Sequence, residues 1–152
     1  MRRCQDVKAD PLFRSMILDS LAYVDATEGD LARAGDRRAE ALAIALGGGD
    51  LALVSQVLVG VADQAVRRGY PHEAARLLAA AEGVGGGPDR SRPDEPRVAA
   101  AARAAVGDAK FTEALQRARD GFSGLGRGEL ANSEEVRELT ASVLSAPAPK
   151  AG

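Results

Sequence analysis

Apolar residues recur along this chain with the three- and four-residue spacing of amphipathic helices. Two such segments adjoin at Gly69, which can end a helix in a left-handed conformation, and Pro71, which can begin the next helix. The pattern predicts an antiparallel helical hairpin over residues 51–68 and 71–83. The stripe of its second helix is predicted to face inward and consists of Ala74, Leu77, Leu78 and Ala81.

A broader apolar surface marks the first predicted helix, residues 11–28, which follows the capping residue Asp10. Its inward stripe is predicted to be Phe13, Ile17, Leu21 and Val24, widened by Leu12, Met16 and Leu18. We expect a helix of this kind to need neighbours on more than one side. A second helix is predicted over residues 31–46, with inward residues Leu31, Ala34, Leu42, Ala45 and Leu46.

Glycine, proline and charged residues interrupt the pattern at residues 84–95, which we interpret as a linker. Residues 1–9 are predicted to be a disordered tail, and residues 10–83 to form two hairpins. A third hairpin is predicted over residues 96–121, and its second helix buries Phe111, Leu115, Ala118 and Phe122. Residues 122–152 are predicted to be a loose C-terminal segment with a short helix at 133–144.

Three glycines are predicted to lie at hairpin tips, because Gly29, Gly69 and Gly107 follow one another at intervals of 40 and 38 residues. This period is typical of helical-hairpin arrays. The tetratricopeptide pattern of small and large residues fits the middle unit best, whereas Arg38 replaces a large apolar residue in the first unit and Gly35 weakens its second helix. We predict an all-α fold of about three tetratricopeptide-like antiparallel hairpins and a short C-terminal helix.

The composition limits the kinds of binding partner and the cellular compartment that we expect for this chain. The formal net charge is −2 and the arginines are dispersed, so we expect no direct binding of nucleic acid. The chain has no run of eighteen apolar residues, and we expect no membrane insertion. Cys4 is the single cysteine, so no internal disulfide can form, and a cytoplasmic location is expected.

Catalytic chemistry finds little support in the residue pattern. The single histidine, His72, has no cysteine or aspartate at ligand spacing, and the serines lack the context of a nucleophile. We therefore predict no catalytic residues, no metal site, no cofactor and no enzymatic activity.

A polar helix face is the best candidate for a binding site. Gln56, Asp63 and Arg67 lie seven and four residues apart on one side of the third helix. Asp19, Tyr23 and Thr27 occupy the equivalent rows of the first helix. In a tetratricopeptide-like hairpin these rows line a groove, which we predict to hold a protein or peptide partner or a small effector. The alternative interpretation is an ordinary solvated face.

Residues 21–121 resemble the C-terminal helical-repeat region of actinobacterial SARP-type regulators and of large ATP-binding LuxR-type regulators. The resemblance rests on the strings at 28–32, 39–42, 60–62, 73–82, 88–89 and 104–111, in that order. It implies a regulatory repeat module that receives a signal or holds a partner. In those regulators the DNA-binding and nucleotide-binding domains lie upstream, and this sequence contains neither pattern.

We therefore expect a non-catalytic interaction or sensing module, part of or related to a transcriptional regulator. The alternative is a small helical enzyme or an accessory protein of a biosynthetic pathway. We also expect the excess apolar surface of the first helix to be covered, either in a weak symmetric homodimer through that helix or by the last helix folding back over it.

Overall fold

A computed structural model describes residues 10–87 and 94–145 of the chain, and every regular element in these two ranges is an α-helix. The order is α1 Pro11–Thr27, α2 Leu31–Gly48, α3 Leu51–Arg67, α4 Pro71–Gly85, α5 Asp94–Val106, α6 Asp108–Phe122, α7 Arg127–Ala131 and α8 Glu134–Ser145. The all-α fold of packed antiparallel hairpins is thus confirmed. No helix in these ranges is both long enough and apolar enough to cross a membrane.

The first two hairpins, α1–α2 and α3–α4, repeat each other at an interval of 40 residues. Asp10 and Asp50 cap α1 and α3 by accepting hydrogen bonds from backbone amides of the first turn. Gly29 and Gly69 end the hairpin turns at φ angles of 89° and 87°, where a left-handed backbone favours glycine. The predicted tip glycines of these two hairpins therefore have the positive φ that the sequence indicated.

Equivalent side chains also hold the helices of each hairpin together. The Ser15 hydroxyl on α1 donates to the Ala41 carbonyl on α2 at 2.8 Å. Forty residues later, the Ser55 hydroxyl on α3 donates to the Ala81 carbonyl on α4 at 2.7 Å. Because a serine side chain is short, these bonds require the two backbones to lie close together.

Helices α3 and α4 form the centre of the molecule. The side chain of Leu58 is fully buried and that of Leu78 is nearly so. Helix α5 packs on α3 and α4, α6 packs mainly on α4, and α7 lies against α4 and α3. The four residues predicted to face inward on α4 are all buried, as are Phe111 and Phe122 on α6.

The side of α1 that packs against the other helices is not the predicted side. Its large apolar residues Phe13, Ile17, Leu21 and Val24, predicted to face inward, are 40% to 51% exposed, and so is Met16. The buried residues of α1 are small or polar, namely Ser15, Asp19, Ala22, Asp25 and Ala26. The close approach to α2 explains this orientation, since small residues let two helix backbones come together.

Several helix boundaries differ by one or two residues from the sequence-based ones, and one short helix was not predicted. Helix α4 continues to Gly85, α5 begins at Asp94, and the short helix α7 lies in a segment expected to be loose. Helix α8 packs against α2, α3 and α4, so within the described ranges it does not cover the exposed face of α1. The predicted tail 1–9, most of the predicted linker and the chain after residue 145 lie outside the described residues.

Candidate functional site

A buried guanidinium lies where α1, α2 and α3 meet. Arg38 on α2 is fully buried, and its Nη1 donates to Oε1 of Gln64 at 3.0 Å. Its Nε lies 3.5 Å from Oδ1 of Asp19, which is also buried. Gln64 in turn donates through Nε2 to the Leu31 carbonyl at 2.9 Å. A buried charge is tolerated when it has a counter-charge and hydrogen bonds of this kind.

Gly60 on α3 makes room for this arginine. A Cβ atom at residue 60 would lie 2.5 Å from Nε of Arg38 and 2.8 Å from Oδ1 of Asp19. Both groups are fixed by burial, so a side chain at this position would have to displace the ion pair. The glycine therefore leaves the space that the buried ion pair occupies.

A second carboxylate joins α3 to α5. Asp63 is 4% exposed, and its two oxygens accept hydrogen bonds from Arg67 Nε at 2.8 Å and from Arg97 Nη1 at 3.0 Å. Arg97 also lies 3.5 Å from Asp94 at the start of α5. Burial alone would lower the pKa of Arg97, but the hydrogen bond to Asp63 and its charge outweigh that effect and raise the pKa. Arg97 thus stays cationic.

The ring of Tyr23 lies close to the guanidinium groups of both Arg38 and Arg97. The guanidinium of Arg38 is 4.3 Å from the ring centre and that of Arg97 is 5.8 Å from it. Such cation–π contacts stabilise a cation against an aromatic face. Burial, and then the negative charge of Asp19, raises the pKa of the Tyr23 hydroxyl well above its usual range. The tyrosine is therefore neutral, a hydroxyl that can donate as well as accept.

The structure brings together four of the six predicted groove residues. Asp19, Tyr23, Asp63 and Arg67 belong to one polar face, formed by α1, α3 and α5, which we call the Tyr23 face. Thr27 is exposed one turn beyond Tyr23, and its hydroxyl donates to the Tyr23 carbonyl at 2.8 Å. Gln56 is half-buried and lies about 10 Å along α3 from Asp63, outside the network.

Sequence reasoning missed three polar residues of this face, Arg38, Gln64 and Arg97. Arg38 is a charged residue at a repeat position that is usually apolar, and this departure from the pattern was the signal in the sequence that could have identified it. Nothing in the local pattern indicated its partners, since Asp19 and Gln64 lie 19 and 26 residues away in the chain. Arg97 belongs to a helix whose placement depends on long-range packing.

The Tyr23 face presents donors outward and hides its carboxylates. The side chains of Arg67 and Arg97 are 34% and 46% exposed, whereas those of Asp19 and Asp63 are nearly fully buried. The Tyr23 side chain is half-buried. Guanidinium groups beside an aromatic ring suit the carboxylates and backbone carbonyls of a peptide.

Two clefts lie apart from this face. One, of about 400 Å³, lies between α2 and α8 and is mostly apolar, with Leu42, Leu46 and Leu144 in its walls. The other, of about 330 Å³, lies between α4, α6 and α8. It contains His72 beside Arg76, which pairs with Glu135 at 3.2 Å.

Metal ligands do not cluster within residues 10–87 and 94–145, where no group of three or more His, Cys, Asp or Glu residues could hold an ion. Comparison of the chain with known protein families, curated proteins and solved structures gives no match. The resemblance to SARP-type and LuxR-type regulators therefore stays a prediction from the sequence.

Proposed function

We propose that this protein is a non-catalytic interaction module whose Tyr23 face binds an extended segment of a protein partner. The observation that supports the proposal is the convergence of Tyr23, Arg67 and Arg97 from three different helices onto one accessible surface. Tyrosine and arginine are the residues that most often dominate the binding energy of protein interfaces.

The buried carboxylates position this surface. Asp63 binds both exposed arginines and so fixes the direction of their remaining N–H groups. Arginine loses less entropy on binding when its planar group is held in place beforehand. The face can thus bind carbonyl and carboxylate oxygens without first ordering its own side chains.

Selection from a random peptide library tests the proposal. Peptides enriched on the immobilised protein are then measured by fluorescence anisotropy against the wild type and two variants. Arg97→Ala removes an exposed donor of the Tyr23 face. Arg117→Ala removes an exposed arginine of α6 that lies outside the Tyr23 face and pairs with Glu113, and so is the matched control.

We expect Arg97→Ala to weaken binding about tenfold or more, the typical effect of removing an interface arginine. Arg117→Ala should leave binding unchanged. Thermal melts of both variants establish that each is folded. Equal affinities for Arg97→Ala and the wild type would contradict the proposal, as would a library from which no peptide is enriched.

A role in transcriptional control is proposed on the sequence resemblance over residues 21–121, and the module would then hold a partner of the regulatory apparatus. Deleting the coding region and measuring transcripts is the corresponding test. A small, defined set of changed transcripts is expected, and an unchanged profile would contradict the regulatory role.

A further inference from the structure

The outward face of α1 carries an apolar strip that no described part of the chain covers. Five side chains form this strip, which we call the α1 strip: Phe13, Met16, Ile17, Leu21 and Val24, each 40% to 51% exposed. It runs for about 17 Å along the helix. Together the five side chains expose on the order of 400 Å², which is as large as the largest apolar patch on a typical monomer.

The equivalent positions in the second hairpin indicate what the α1 strip is suited to contact. Forty residues later, the positions equivalent to Phe13, Ile17 and Leu21 are Leu53, Val57 and Val61 on α3, and all three are buried. Helix α3 packs against the preceding hairpin, through α2 and to a lesser extent α1. The α1 strip therefore has the position of a face that packs against another helix.

An identical hairpin stacked in front of α1 would fit the strip poorly. At the α2–α3 junction, α2 presents the buried Arg38, which needs Gln64 and the space above Gly60. The equivalent α1 positions are Val24 and Ser20, which offer neither an amide acceptor nor the same space. A wholly apolar strip instead suits another apolar strip.

We propose that the α1 strip binds the α1 strip of a second copy of this chain, with the two helices antiparallel across a two-fold axis near Ser20. Ser20 is exposed and small, and it lies between the larger residues of the strip. The axis places Ile17 against Val24 of the second copy and Leu21 against its own counterpart. A two-fold contact of this kind is isologous and closes on itself.

Charge and area agree with this arrangement. In this register the exposed Arg14, which also pairs with Glu40 of its own chain, lies on the same flank as Glu28 of the second copy and within one helical turn of it, so opposite charges meet at the rim. Two strips with their rims would bury about 1,000 Å², at the lower limit for a specific interface. The structure therefore favours a weak dimer, an inference that goes beyond the binding proposed for the Tyr23 face.

Sedimentation equilibrium over a hundredfold range of concentration tests the dimer. The wild type should move from its monomer mass of 15.7 kDa toward twice that value as the concentration rises. Ile17→Glu should raise the dissociation constant about tenfold or more, because it would bury an unpaired charge in the contact. The matched control is Leu125→Glu, which places the same charge on an exposed apolar residue outside the strip.

Cysteine cross-linking tests the position of the axis. In a Cys4→Ser background, Ser20→Cys should form a disulfide-linked dimer on mild oxidation, because a residue near a two-fold axis meets its own copy. The control, Ser123→Cys in the same background, is exposed directly after the end of α6 and should cross-link slowly. A strict monomer at every concentration would overturn the proposal. So would equal effects of Ile17→Glu and Leu125→Glu, or equal cross-linking rates at residues 20 and 123.

Discussion

A single charged residue decides how the first two hairpins meet. Arg38 occupies the repeat position of Leu78, and both are buried. The substitution of a guanidinium for a leucine is accommodated by Asp19, by Gln64 and by the missing side chain of Gly60. The network built on this arginine then places Tyr23 beside it, so one departure from the repeat creates the polar face that we assign to binding.

The ionisation of Tyr23 provides a test at this scale. In the folded protein the pKa of its hydroxyl is raised by burial and by the carboxylate of Asp19, whereas in the unfolded chain it is about 10. The folded state therefore keeps the proton longer than the unfolded state does. The stability that Tyr23 contributes is fully present below about pH 10 and is lost as the pH rises toward the folded pKa.

Absorbance of tyrosinate near 295 nm measures this titration. The Tyr70→Phe variant leaves Tyr23 as the only tyrosine of the chain. We expect its midpoint to lie clearly above pH 10 while the protein is folded, and to return to about 10 when the same variant is unfolded in denaturant. If Tyr23 titrates with the same midpoint in the folded and the unfolded protein, its ring is open to water and the account of its burial is wrong.

The helix α1 illustrates what a sequence pattern leaves undetermined. Periodicity correctly predicted the helix, its cap at Asp10 and the residues that share its apolar stripe. It did not predict the side facing the core, because the opposite side carries Ala22 and Ala26, which bury well against a close neighbour. Two contributions to stability therefore compete in setting the orientation of α1. One is the burial of the large apolar side chains on one side of the helix, and the other is close packing of the helix backbones on the opposite side.

A pair of substitutions tests the orientation of α1. Ala22→Leu inserts a large side chain at a fully buried position and should lower the free energy of unfolding by about 1–3 kcal/mol. Leu21→Ala removes atoms from a side chain that is 40% exposed and should cost less than about 1 kcal/mol. Urea unfolding at low protein concentration, where a dimer does not contribute, gives both values. If Leu21→Ala costs more than Ala22→Leu, then α1 faces the other way.

At the scale of the whole molecule, the repeat explains both the successes and the failures of prediction. Hairpins were predictable because caps, turn glycines and stripes are local features, and the 40-residue interval recurs in Asp10 and Asp50 and in Gly29 and Gly69. The position of α8 against α2, α3 and α4, and of Arg97 beside Asp63, depends on contacts between distant segments. Such contacts leave no periodic signal in the chain.

The central claim is that the Tyr23 face is the surface that binds a partner. Nuclear magnetic resonance of the isotope-labelled protein during titration with a library-selected peptide tests it most directly. We predict that the largest shifts of backbone amides fall around Tyr23 on α1, Asp63 and Arg67 on α3, and Arg97 on α5. Shifts centred instead on the α2–α8 cleft, or on the cleft that contains His72, would contradict the account.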